Sequence, residues 1–393
     1  MPTTLFKWVN LTLMTGACVF AGSCARKPPA TSALQVTIDT VEGVERVTSV
    51  GSAPMWKATL RTRIGAAAGD GPDVFGDVWD IELDAVGNVY VADEHASQVQ
   101  VFDSLGTYIR SIGRRGAGPG ELQTPRSLGW LGDTLVILDF RNARIALFSR
   151  AGGWITGLRW QPLSGERLRT GSLHDLYAPV YQQVNAVGRL GFIHLDAIEP
   201  PDTVVMASRP GAPSGPVCRY PNNGGIEVFG IPFGPIQHIA GGPAGTLWFG
   251  WSAEYRLAQT TTRGDTVRLI DRSSTPLPIL DTEWADATAR FRGIHEDYPG
   301  TECDPSDQAR PPSKPAFRWL GSDVNGRLWT EVDAPAGYRY EVFDARGRLL
   351  GQVVAGVRTG RERPVMRDHW LAIVAADSLD VEYVELYSLS IPK

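Results

Sequence analysis

A block of short strands recurs along this chain at a fixed interval, and that interval limits the fold more than any single residue does. In VWDIELDAVGNVYVADEHASQVQVFDSLGTYIRSIG, beginning at Val78, apolar and polar residues alternate, and Gly and Asn interrupt them at short intervals. Period-2 alternation with such punctuation predicts an antiparallel meander of four strands. Asp93 and Asp139, Phe102 and Phe148, and Gly106 and Gly152 are each 46 residues apart, so Arg126 to Arg159 repeats the block. A third good copy runs from Phe317 to Gly351, where YEVFDARG matches VQVFDSLG, and a looser one from Gln237 to Ile270. Weaker units span Tyr181 to Ala207 and Trp370 to Leu389. One four-stranded sheet cannot bury both faces alone, but six in a ring can. The expectation is an all-β six-bladed β-propeller with four-stranded antiparallel blades.

The ends of the chain complete this picture. Lys7 precedes an apolar run from Trp8 to Phe20 and then Ala21-Gly22-Ser23-Cys24, a secretory signal too short to span a bilayer stably. The small residues before Cys24 resemble a bacterial lipobox, with Ala21 where Leu is usual. The resemblance implies removal of residues 1–23 and lipid on Cys24; ordinary signal cleavage is the alternative. Ala25, not Asp, after the Cys implies an outer-membrane anchor, with residues 24–33 as a flexible tether. Residues 34–393 then form the propeller. Strand-like runs lie at Val36 to Val41 and Thr59 to Ile64, while the last unit is short of strands. An N-terminal strand is therefore expected to close the sixth blade and remove the exposed edge.

Between the first two blades lies GRRGAGPGE, Gly113 to Glu121. Such a loop either cradles an anion through backbone N–H groups or simply crosses to the next blade. No Lys-Ser/Thr completes a phosphate-binding loop. The segments DAVGNVYVAD, VQVFDSLGTYIRSIG and GRRGAGPGEL resemble six-bladed propellers of the NHL-repeat type. More narrowly, they are similar to bacterial envelope propeller lipoproteins of unknown function. The resemblance is strong over Phe75 to Phe148, fair over Phe317 to Leu350, and architectural elsewhere. It implies the fold and leaves function open.

The formal charge of −5 and the absence of basic runs argue against nucleic-acid binding. The six His are scattered and no GxSxG occurs, so no catalytic residue, metal or cofactor is identified. Asp93 and Asp139 read most simply as acceptors for backbone N–H groups in the loops that follow them. Arg110, Arg114, Arg115, Arg126, Arg141 and Arg144 crowd the first two blades, either as ligand or interface contacts or as partners of Glu94, Asp133 and Asp139.

One segment leaves the repeat. DTEWADATARFRGI, Asp281 to Ile294, predicts a helix with Asp281 as N-cap, inside an insertion of about residues 276–315 between blades four and five. Such an insertion is a candidate binding lid or a helix packed on the ring. Cys218 and Cys303 are expected to pair in an oxidising compartment, closing a loop of 85 residues and stabilising by about 4–5 kcal/mol.

These readings converge on a monomeric, envelope-anchored binding or scaffold module that meets the membrane only through its lipid. Its partner is an envelope protein or a small anionic ligand, and its candidate surface is Asp93, His95, Arg114, Arg115, Arg141 and Asn142. The alternative is a metal-dependent hydrolase or lactonase using the central channel.

Overall fold

The computed structural model describes residues 33–160, 167–184, 187–196, 217–222, 225–297, 310–335, 337–355 and 363–391. Three strands precede blade I in the chain: β1 (Gln35–Val41), β2 (Val44–Val50) and β3 (Met55–Ile64). Blade I is β4 (Val78–Leu83), β5 (Val89–Asp93), β6 (Gln98–Phe102) and β7 (Tyr108–Ile112). Blade II is β8 (Pro125–Leu131), β9 (Thr134–Asp139), β10 (Arg144–Ser149) and β11 (Trp154–Arg159). Blade III contains β12 (Arg169–Ser172), β13 (Asp175–Val184) and β14 (Val187–Asp196), followed by a hairpin of β15 (Val217–Asn222) and β16 (Gly225–Gly230). Blade IV is β17 (Gln237–Gly241), β18 (Leu247–Trp251), β19 (Arg256–Thr260) and β20 (Thr266–Arg272). Helix α1 (Asp281–Asp297) follows, and then blade V with β21 (Trp319–Ser322), β22 (Leu328–Ala334), β23 (Gly337–Phe343) and β24 (Leu349–Val353). Blade VI is β25 (Val365–Arg367), β26 (Trp370–Ala376), β27 (Glu382–Ser390) and, from the other end of the chain, β3.

Alternation explains why these sheets close into a ring. On β5, Tyr90 and Ala92 pack against Trp130, Leu135 and Ile137 of blade II, while Val89 and Val91 pack against Ala372, Val374 and Leu386 of blade VI. The same division repeats at the II–III, III–IV, IV–V and V–VI contacts, so each neighbouring pair of blades shares its own apolar core. A one-residue slip would exchange the two faces of a strand, which fixes the register.

The turns have a common device. Asp84 Oδ1 accepts the N–H groups of Val86 and Asn88, and Asp103, Asp323, Asp344 and Asp377 each do the same for residues two and four further on. Gly87 sits in the left-handed region at φ 88°, and a Cβ there would lie 2.6 Å from the Trp370 ring.

The expected closure is present: β3 pairs antiparallel with β27 from Ile64↔Val384 to Lys57↔Ser390. The run at Val36 to Val41 has another place. It pairs with β2, which joins the outer edge of blade IV in parallel with β20. Blade III also differs from expectation. Its inner strand is β12, before the unit read from Tyr181, because Arg-Thr-Gly-Ser carries no apolar alternation to betray it. The insertion helix forms, but its N-cap is Leu280 rather than Asp281. Leu280 O accepts Trp284 N–H at 3.0 Å, and Glu283 Oε2 reaches back to Leu280 N–H at 2.9 Å. Asp281 instead pairs with Arg310 at 2.6 Å. The signal, Cys24, nearly all of the tether and Cys303 lie outside the described residues, so the Cys218–Cys303 pairing stays an expectation from the sequence. No helix among the described residues is long and apolar enough to cross a membrane.

Candidate functional site

The loops between second and third strands, and the connections from each outer strand to the next inner one, emerge on one rim. The six expected rim residues fall there, in two neighbouring blades. Asp93 has both oxygens engaged by backbone, Oδ2 by Gly76 N–H at 3.0 Å and Oδ1 by Ala96 N–H at 3.0 Å. Asp139 likewise accepts Gln123 and Thr124 N–H on Oδ1, and Asn142 Nδ2 (2.6 Å) and Arg144 Nε (3.1 Å) on Oδ2. Asn142 also donates to Gly116 O at 2.9 Å, and Arg115 donates to the His95 carbonyl at 2.5 Å. Arg114 pairs with Glu121 at 3.1 Å, whose carboxyl is held below the usual range by the Gly118 N–H and by Arg114. His95 and Arg141 are exposed. The structure thus joins His95, Arg114, Arg115 and Asn142 through the Gly-rich crossover, and uses Asp93 as a loop brace.

The other arginines are staples between strands and blades. Arg126 pairs with Glu94 at 3.2 Å and lies between the Trp79 and Phe140 rings, 4.1 Å from each centroid. Arg150 pairs with Asp133 at 2.6 Å, and Arg144 with Asp139. Of the acids singled out in the sequence, Glu94 and Asp139 pair with arginines of the expected cluster, while Asp133 pairs with Arg150, outside it.

The central channel is lined by residues from the inner strands of every blade, and Arg167, Arg169 and Arg363 share it with Asp80 and Glu82. Asp80 is fully engaged: Oδ2 accepts Ser127 Oγ (2.8 Å) and Leu128 N–H (2.9 Å), and Oδ1 accepts Arg167 (3.1 Å). Burial pushes the Glu82 carboxyl up to about 8, against the pull of Leu83 N–H and the Arg367 charge. Near the channel, burial pushes His238 down to about 4, helped by the charges of Arg363 and Arg169. The space at the channel waist is only about 70 Å³. That holds a few waters or a very small ion, well short of the roughly 300–1,000 Å³ of small-molecule sites. Among the described residues no group of three or more His, Cys, Asp or Glu is arranged to hold a metal.

A larger cavity, about 310 Å³, lies between blades IV and V where the long connection leaves and rejoins the ring. Ser273 to Leu277 on one side and Ser313 to Ala316 on the other frame it, with Val332, Asp333 and Arg339 of blade V below. The frame is fixed at its base: Lys314 Nζ pairs with Glu283 of α1 at 2.5 Å, and Lys314 N–H donates to Leu277 O at 2.9 Å. Beneath, Arg272 forks onto buried Glu341 at 3.1 and 3.2 Å, and Tyr255 donates to the same carboxylate at 2.9 Å. Asp333 is 6% exposed, with Arg318 at 3.4 Å and Lys314 at 3.8 Å from Oδ1, while its Oδ2 has no hydrogen-bond partner. Burial pushes its carboxyl up, and those two cations oppose the shift. The sequence did not mark Asp333 or Arg339. On blade V the second and third strands run on past this level to Ala334↔Gly337 and meet in a short turn, whereas blade I stops at Asp93↔Gln98, so Asp333 does not fall at the position of Asp93 in the repeat.

Against known families, residues 74–157 match the DUF5128 family, described as a 6-bladed beta-propeller. No curated protein matches the chain. Among solved structures, the chain is similar to a Bacteroides fragilis protein described as exported, with 13% identity and a TM-score of 0.46 over 86% of this chain and 96% of that one. A Bacteroides vulgatus protein of the DUF4221 family is similar at 11% identity and TM-score 0.47, over 86% and 99% of the two chains. A streptogramin B lyase is similar at 15% identity and TM-score 0.39, over 84% and 97%. Likenesses of this degree say nothing of ligand or activity.

Proposed function

We propose that this six-bladed propeller is an exported binding module, anchored through Cys24, that takes a small molecule in the cavity between blades IV and V. One observation carries the reading: that cavity, about 310 Å³, reaches the size of small-molecule sites, and the connection between the blades walls it on two sides. Its lining mixes polar and apolar side chains, and its acid is perturbed by burial, a feature that clusters at functional sites. The rim of blades I and II, with His95, Arg114, Arg115, Arg141 and Asn142, braced by Asp93, is the surface for an envelope protein or an anionic partner. Its exposed guanidinium groups suit both. The signal and Cys24 in the sequence support export and anchoring.

The test is a pair of thermal melts with and without the small-molecule fraction of an envelope extract. Ala253, exposed and lining the cavity, is replaced in an Ala253→Trp variant that fills the space. The wild type is expected to gain melting temperature and the variant to gain none; no gain in either, or an equal gain in both, contradicts the reading. For the anchor, Cys24→Ser is expected to move the protein from the membrane to the soluble fraction. A variant that stays in the membrane fraction refutes lipidation.

A further inference from the structure

The cavity between blades IV and V has its charged groups engaged with one another and part of its hydrogen-bonding capacity unused. Arg272 and Arg339 both reach Glu341, at 3.1 and 3.4 Å, and Lys314 engages Glu283. Arg318 and Lys314 flank Asp333. A cationic ligand approaching Asp333 would therefore meet two cations, and an anionic one would meet the carboxylate itself while finding the arginines already engaged. Neither sign of charge gains.

Hydrogen bonding is another matter. Asp333 Oδ2 and Arg339 Nε are both buried and both without a hydrogen-bond partner, one an acceptor and the other a donor on paired strands. Buried polar atoms are nearly always satisfied by protein or by water, so two orphans on residues lining one cavity mark a place for water or for a ligand hydroxyl that replaces it. Ser273, Ser274, Thr275 and Ser313, each with a hydroxyl, line the same space. The rest of the wall is apolar, chiefly Pro276, Leu277, Pro315 and Val332.

We propose that this cavity binds a neutral polyhydroxylated small molecule of about monosaccharide size, with a hydroxyl shared between Asp333 and Arg339. The proposal rests on the reading of the cavity as the binding site and names the chemistry it takes. Hydroxyls donate to Asp333 and accept from Arg339 and the serines, and the C–H edges of the same molecule pack on the proline and leucine faces. The volume admits one sugar ring and not a chain of them.

Saturation-transfer NMR on the full chain tests this with glucose, galactose, mannose and myo-inositol as neutral probes and glucosamine and glucuronate as charged ones. At least one neutral probe is expected to give transfer that Ala253→Trp abolishes and Asp333→Asn weakens about tenfold in affinity. Asp333→Asn keeps the shape, so a folded variant is confirmed by its unchanged far-UV spectrum. If only a charged probe binds and Ala253→Trp removes it, the cavity stands as the site and the neutral class is wrong. Transfer that survives Ala253→Trp places the probe elsewhere and overturns the proposal. No transfer from any probe overturns it too, leaving ordered water as the occupant; the extract melts then decide separately whether the cavity binds anything.

Discussion

Glu82→Gln is expected to make this protein more stable at neutral and alkaline pH, a direction opposite to most substitutions in a core. Glu82 is 8% exposed, and burial raises its carboxyl from 4.5 to about 8. The folded state therefore keeps a proton that the unfolded chain releases. A raised folded-state value means that this contribution is fully present below pH 4.5 and is lost as pH rises through about 8. At roughly 1.4 kcal/mol for each tenfold change in proton affinity, the loss sums to about 4–5 kcal/mol at most. Gln mimics the protonated acid, and its amide oxygen can still accept Leu83 N–H, now 2.8 Å from Glu82 Oε1. His238 works in the other sense. Its lowered value costs stability as pH falls from 6.5 towards 4, but it is common to both proteins and cancels in their difference. The assay is urea unfolding of both proteins from pH 5 to pH 9. The stability difference should grow in favour of Gln by about 1.4 kcal/mol per pH unit and level off above pH 8. A difference that stays flat across this range would refute the reasoning, because it would mean that Glu82 is ionised in the folded channel.

Three further outcomes follow from the geometry. Arg126→Ala removes a guanidinium held between Trp79 and Phe140, and should cost about 1–2 kcal/mol in denaturant melts, with Arg126→Lys recovering less than half; an unchanged melt contradicts the staple. Gly87→Ala forces a left-handed Ala against the Trp370 ring and should cost about 2–3 kcal/mol by the same assay, while Gly132→Ala, with nothing within 4 Å, should cost no more than about 1 kcal/mol. Chelator should leave the melting temperature unchanged; a fall would revive the metal-dependent hydrolase in the channel.

Blades I, II and V were legible because each carries both signals, strict alternation on the second and third strands and an acidic or hydroxyl residue before a turn glycine. Ring closure by an N-terminal strand was legible from a deficit, since blade VI lacked an outer strand, but which of the two runs supplies it was not. The inner strand of blade III was not. Arg169 to Ser172 faces the channel, and a polar four-residue strand has no periodicity to read. The cavity between blades IV and V was hidden for a different reason. Its walls, Ser273 to Leu277 and Ser313 to Ala316, are far apart in the sequence and meet only in the fold, so no local pattern marks them. The arginine cluster of blades I and II was visible in the sequence, but its role depended on distances. Arg126 and Arg144 proved to be paired with Glu94 and Asp139, and Arg114 with Glu121.

The claim that this ring holds a small molecule between blades IV and V meets its most direct test in native mass spectrometry. Wild-type protein and Ala253→Trp, each incubated with the same envelope extract, are compared for a bound mass that survives gentle ionisation and is released on unfolding. The account predicts a discrete small-molecule mass on the wild type and none on the variant. Two proteins with identical spectra, bound or empty, would contradict it.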